Sequence, residues 1–150
     1  MRRAAILCCA AVLVGCSKAE NKPSEEAAAA LPRPIALADV AGTWNMKAMN
    51  EARDTTLVTY TLTATADTSG WTIKFANRPA AIPAHVTAHG ASLVIDAGPY
   101  ESVLRRGVQV TTHGTYRLEN GNLVGTTIAH YTTSGPDSVR RIVTEGTRQQ

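Results

Sequence analysis

From Leu57 to Ala66 the chain alternates without a break. Val58, Tyr60, Leu62, Ala64 and Ala66 stand between Leu57, Thr59, Thr61, Thr63 and Thr65. A period of two over ten residues cannot place one apolar face on a helix, so it commits the segment to a half-buried strand. The pattern recurs. Val108, Val110, Tyr116 and Leu118 alternate with Gln109, Thr111, His113, Thr115 and Arg117; Trp71, Ile73 and Phe75 alternate with Thr72 and Lys74. Val124, Thr126 and Ile128 continue it more weakly, and the many threonines suit the solvated face of a sheet.

Turn signals punctuate these runs: Thr68-Ser69-Gly70, His89-Gly90, Gly98-Pro99, Arg106-Gly107, Asn120-Gly121 and Gly135-Pro136. Asn120-Gly121, between Leu118 and Leu123, carries the strongest hairpin chemistry, because both central residues of a two-residue loop must reach positive φ. Eight or nine strands fit between residues 39 and 150, with no room for crossover helices. The expected fold is all-β: an antiparallel up-and-down meander that removes its edges by closing into a small soluble barrel. A membrane-spanning barrel would alternate too, but seven aromatic residues cannot supply two interfacial girdles. Arg140, Arg141, Glu145 and Arg148 fall on both faces of the last strand, where some would meet lipid.

The first 38 residues read differently. Arg2 and Arg3 precede an apolar run from Ala4 to Val14. At about 1.5 Å per residue that run is too short to span a bilayer, so it reads as a signal peptide over residues 1–15. Directly after it, Leu13-Val14-Gly15-Cys16 resembles the lipobox of bacterial lipoproteins. The resemblance implies cleavage before Cys16, lipid on its thiol, and a place in the bacterial cell envelope. With Ser17 next, the same resemblance favours the outer membrane, facing the periplasm. Residues 16–38 read as a lipidated cysteine and a flexible tether, with Pro32 and Pro34 stopping any helix.

This assignment disposes of the cysteines and much of the charge. Cys8 and Cys9 leave with the signal, and Cys16 carries lipid. The net charge of +3 includes Arg2 and Arg3, and residues 39–150 hold ten Lys/Arg against nine Asp/Glu. No nucleic-acid partner follows from so balanced a domain.

Val40-Ala41-Gly42-Thr43-Trp44 resembles the Gly-x-Trp that opens the first strand of lipocalins and fatty-acid-binding proteins. That resemblance implies an up-and-down barrel whose tryptophan plugs one end beneath an arginine of a late strand. Gly42, Trp44 and Arg148 are the positions that match, and an Arg–indole contact there is worth of order 1 kcal/mol. The domain also resembles bacterial lipoproteins that share Gly98-Pro99-Tyr100-Glu101-Ser102, a likeness that brings no activity.

Sites of chemistry are sparse. His85 and His89 would share a strand face about 13 Å apart, too far to grip one metal. Tyr100-Glu101-Ser102 reads as a strand start after a Gly-Pro turn rather than a nucleophile and base. Arg105-Arg106 and Arg140-Arg141, taken as strand pairs, each place one charge outward. The expectation is therefore no catalysis, no metal and no cofactor, in a monomer tied to the membrane through Cys16. The barrel should bind a small apolar ligand or an envelope partner, with Tyr60, Trp71, Phe75 and Tyr116 as lining residues. Small inward residues (Ala64, Ala66, Gly114, Gly125) leave space for a cavity or permit tight corners. The other expectation is a structural or inhibitory barrel that displays loops to an envelope enzyme. Residues 76–84 are its candidate apolar loop.

Overall fold

The computed structural model describes residues 33–150, so the signal segment, Cys16 and most of the tether lie outside the described residues. Eight strands follow in chain order: β1 Gly42–Met49, β2 Thr56–Ala64, β3 Thr72–Phe75, β4 Ile82–His89, β5 Ser92–Glu101, β6 Gln109–Glu119, β7 Asn122–Tyr131 and β8 Val139–Arg148. Each pairs antiparallel with the next, and β8 returns to pair with β1, from Trp44↔Arg148 to Met49↔Val143. The result is a closed up-and-down β-barrel in which every strand has a partner on both sides. A short helix, α1 Leu37–Val40, leads into β1.

Alternation sets the inner wall. Trp44, Met46 and Ala48 of β1, Leu62 and Ala64 of β2, and Val110 and Tyr116 of β6 are buried. β2 ends at Ala64, and Ala66 is exposed beyond it. Asn120 (φ 50°) and Gly121 (φ 81°) make the expected two-residue turn, with Glu119 opposite Asn122. That turn also decides the face of β7. With Leu118 opposite Leu123, the inward series is Leu123, Gly125, Thr127, Ala129 and Tyr131; Val124, Thr126 and Ile128 fall on the outer wall. A one-residue shift of register exchanges the faces, and the turn, not the weak alternation, fixes the register.

Three further expectations change. The folded part begins before Asp39: Ile35 donates its N–H to the Gly90 carbonyl at 2.8 Å, and Ile35 and Leu37 pack against the core. Gly98-Pro99 does not precede a strand but lies within β5, where a cis peptide and a register shift separate Ala97 from Tyr100. Gly98 is held at φ 116°, and a Cβ there would stand 2.7 Å from the Val110 carbonyl oxygen, so the irregularity demands glycine. Finally, β4 takes Ile82–Ala84 from the 76–84 segment and buries Ile82, while Pro79, Ala80, Ala81 and Pro83 stay exposed.

The wall is uneven. β6 and β7 pair over ten residues, whereas β3 and β4 share only Thr72↔Pro83 and Ile73↔Ile82. Pro83, opposite Thr72, has no N–H to give, which discourages a foreign strand from adding at this seam.

Candidate functional site

The two ends of the barrel are built from different side chains. At one end Trp44 is wholly buried, and its indole N–H donates to the Val40 carbonyl at 2.8 Å. The Arg148 guanidinium lies over the indole, 4.4 Å from the ring centroid. Arg148 also donates to the carbonyls of Asp39, at 2.7 Å, and Ala41. Gly42 (φ 136°) leaves room for it, since a Cβ would come within 2.7 Å of Arg148 Nη1. Gly42, Trp44 and Arg148 thus meet in one place and tie the α1 segment, β1 and β8 together.

Trp71 belongs to this end too. It is buried, its indole N–H donates to the Asp67 carbonyl at 2.7 Å, and it does not line the interior cavity. Its place among expected lining residues therefore changes: β3 begins at the plugged end, and Trp71, just before it, sits level with the floor. Asp67 shapes the turn before it by accepting from the Ser69 N–H and hydroxyl, which holds its carboxyl below the usual range.

At the other end lies a cavity of about 60 Å³. All four tyrosines of the chain and its one phenylalanine line it: Tyr60, Phe75, Tyr100, Tyr116 and Tyr131. Tyr60 and Phe75 pack tilted with centroids 5.4 Å apart, and Phe75 and Tyr100 follow at 6.1 Å. Tyr100 and Tyr131 are the lining residues that alternation missed. The irregularity at Gly98-Pro99 inserts a residue that returns Tyr100 to the interior, and the strand carrying Tyr131 runs further than its weak alternation indicates.

Hydroxyls cross the cavity wall in a row. Tyr60 Oη lies 3.4 Å from Tyr116 Oη, Tyr116 Oη 2.7 Å from Thr127 Oγ1, and Thr127 Oγ1 3.2 Å from Thr144 Oγ1. Burial pushes the Tyr60 phenol well above its ordinary value, and the Tyr100 phenol rises for the same reason. Gly114 and Gly125 do not leave empty space. The Tyr116 ring occupies it, and a Cβ at either position would run into that ring.

A loop covers this end. Ser102, Val103 and Leu104, between β5 and β6, line the cavity from above. Ser102 Oγ accepts from the Leu104 and Arg105 N–H groups at 3.1 Å each, and Glu101 Oε1 accepts from the Gly107 N–H at 2.9 Å. The serine and glutamate therefore shape the loop. Arg105 lies 4.2 Å over the Tyr131 ring and donates to the Asp137 carbonyl at 2.7 Å; Arg78 lies 5.7 Å from the Tyr100 centroid and donates to the Glu101 carbonyl. Arg105 and Arg106 are thus loop residues, not a strand pair, whereas Arg140 and Arg141 do sit on β8.

The histidines are on the outer wall. His85, Asp96 and His113 fall in register on β4, β5 and β6, with His113 Nδ1 2.7 Å from Asp96 Oδ1, while His89 stands at the far end of β4. Among the described residues, no three His, Cys, Asp or Glu side chains gather closely enough to hold a metal ion. Compared with known proteins, the chain matches no family model, no curated protein and no solved structure.

Proposed function

We propose that this chain is a lipocalin-like binding module, held on a bacterial envelope membrane through lipid on Cys16, that takes a small molecule into the aromatic end of its barrel. The observation that carries the reading is the segregation of aromatic types. Tryptophans fill the plugged end, while every tyrosine and the phenylalanine line one partly covered space under a loop. Aromatic walls with a few convergent polar groups suit a small ligand. The reading assigns no chemistry to the barrel, and the loop hydrogen bonds of Ser102 and Glu101 support that. The membrane address rests on the lipobox resemblance at residues 13–16.

Size limits the guest. An apolar cavity of about 150 Å³ takes benzene, and a single water needs about 10–15 Å³. At about 60 Å³ the present cavity has room for a handful of atoms. A larger guest requires the 102–108 loop to move. The same small volume favours the second reading, a filled barrel that presents loops to an envelope enzyme. Native mass spectrometry of protein extracted from its own membrane separates the two. The binding reading expects a co-purifying small molecule on a lipid-modified chain, with the lipid lost in Cys16→Ser. A lipidated chain that carries nothing else would favour the display reading.

A further inference from the structure

We infer that the occupant of this cavity is a small neutral molecule with one hydrogen-bonding oxygen, held at the Tyr60 end of the hydroxyl row. The inference rests on the binding reading and specifies what is bound. Four hydroxyls stand in line, Tyr60, Tyr116, Thr127 and Thr144, joined by three contacts. Each hydroxyl brings one proton and two acceptor lone pairs. Three links use three protons, so one proton is left over at an end of the row. If the row donates toward Tyr60, the spare proton is the Tyr60 phenol's. If it donates toward Thr144, Tyr60 keeps its lone pairs open instead. Either way, Tyr60 retains hydrogen-bonding capacity at the cavity wall.

The distances locate the slack at the same residue. Tyr116–Thr127 is a normal bond at 2.7 Å, but Tyr60–Tyr116 at 3.4 Å exceeds the usual hydroxyl range of about 2.5–3.0 Å. Tyr60 is therefore a largely desolvated phenol held by one long contact to Tyr116, with the Thr144 hydroxyl also near it, and a guest oxygen would complete it. Because hydroxyls rotate, the row can reverse. It accepts an alcohol, which both donates and accepts, or a ketone, which only accepts.

The surroundings select against charge. Among the described residues, no Lys, Arg, His, Asp or Glu lines the cavity. The nearby guanidiniums of Arg78 and Arg105 stack on Tyr100 and Tyr131 and donate to the carbonyls of Glu101 and Asp137. An anion placed inside would lose its water and gain no counter-charge. The upward shift of the Tyr60 and Tyr100 phenols has the same origin. The volume, near 60 Å³, is less than half of the volume of about 150 Å³ that takes benzene and bounds the guest at about five heavy atoms, counting about 10–15 Å³ for each water-sized group.

The test is an NMR titration of the full-length, unlipidated chain with four probes of nearly equal size: 1-butanol, 2-butanone, 1-chlorobutane and butyrate, at neutral pH. Butanol and butanone should bind about fivefold more tightly than chlorobutane, the margin of one hydrogen bond, and butyrate should bind more weakly than butanol by at least as much. Tyr60→Phe keeps the ring against Phe75 and removes only the hydroxyl. It should bring butanol and chlorobutane within about twofold of each other. If chlorobutane equals butanol on the wild-type chain, if butyrate binds best, or if Tyr60→Phe leaves the preference intact, the inference is overturned while binding in the cavity stands. If none of the four binds, the binding reading falls with it.

Discussion

The plugged end and the cavity end share the same eight strands and differ in how completely their side chains are used. At the plugged end Trp44, Trp71, Met46, Leu62, Leu93 and Leu123 are almost entirely removed from water, and both indole N–H groups meet carbonyls. Arg148 then covers the indole of Trp44 and binds the carbonyls that precede β1. At the cavity end the rings leave a gap of about 60 Å³, and a long hydroxyl contact remains at its wall. The loop above is held by the Ser102 and Glu101 side chains, which accept from its N–H groups, and by two arginines. Burial without voids is where folding energy comes from. The plugged end therefore carries stability for the barrel, and the cavity end is where some is forgone. A barrel that only had to stay folded would have little reason for that asymmetry.

The contrast breaks most sharply if methyl groups are added to each end. Gly146 lies on β8 at the plugged end, and a Cβ there would overlap Met46 Sδ and come within 3.4 Å of Leu123 Cβ. Gly146→Ala should cost about 1–3 kcal/mol through overpacking, despite the usual gain of alanine over glycine in a strand. Ala129 lines the cavity from β7. Ala129→Val adds two methyl groups where there is space, on a strand that favours β-branching, and should change stability by less than about 1 kcal/mol in either direction. Urea denaturation of the two variants decides it. Equal losses would mean that the ends are equally packed.

A somewhat smaller effect tests how the plugged end is clamped. Arg148→Ala removes the indole contact and two bonds to carbonyls and should lower stability by about 1–2 kcal/mol, with Arg148→Lys recovering only part. In a double-mutant cycle with Trp44→Phe, the coupling should reach a few tenths of a kcal/mol or more. Additive losses would show that the guanidinium and the indole act independently.

Much of this molecule was legible in its sequence, and the exceptions share a cause. Period-two alternation marks β2, β3 and β6, and Asn120-Gly121 marks the tightest turn. Gly42, Trp44 and Arg148, picked out through a resemblance, come together in space. The misses occur where alternation is interrupted or counted from the wrong residue. The extra residue at Gly98-Pro99 hides Tyr100, and the weak pattern of β7, in which only Gly125 reads as inward, conceals Tyr131. Trp71 has the correct parity but the wrong height, because alternation reports the side of the wall and not the level along the barrel axis. Gly114 and Gly125 look like empty space until Tyr116 is placed across them. A cavity is a three-dimensional remainder, and no one-dimensional pattern records it.

The smallest expected effect separates the ends by pH. Both phenols with raised values, Tyr60 and Tyr100, belong to the cavity end. In the unfolded chain a tyrosine titrates near pH 10, and burial raises these two above that. Between the unfolded and folded values the native state holds more protons than the unfolded state. Stability is therefore fully present below about pH 10 and declines as pH rises beyond it. One group contributes a slope of at most about 1.4 kcal/mol per pH unit, hence under about 0.7 kcal/mol across half a unit. Surface lysines titrate in the same region, so the informative quantity is the difference between wild type and a variant. Tyr60→Phe should flatten the decline between pH 10 and 10.5, measured as the denaturant midpoint at each pH. Arg148→Ala, at the end without a tyrosine, should lower the whole curve and leave its slope there unchanged. If Tyr60→Phe and wild type decline in parallel, the Tyr60 phenol is not sheltered from water, and the cavity is open to solvent rather than closed by its loop.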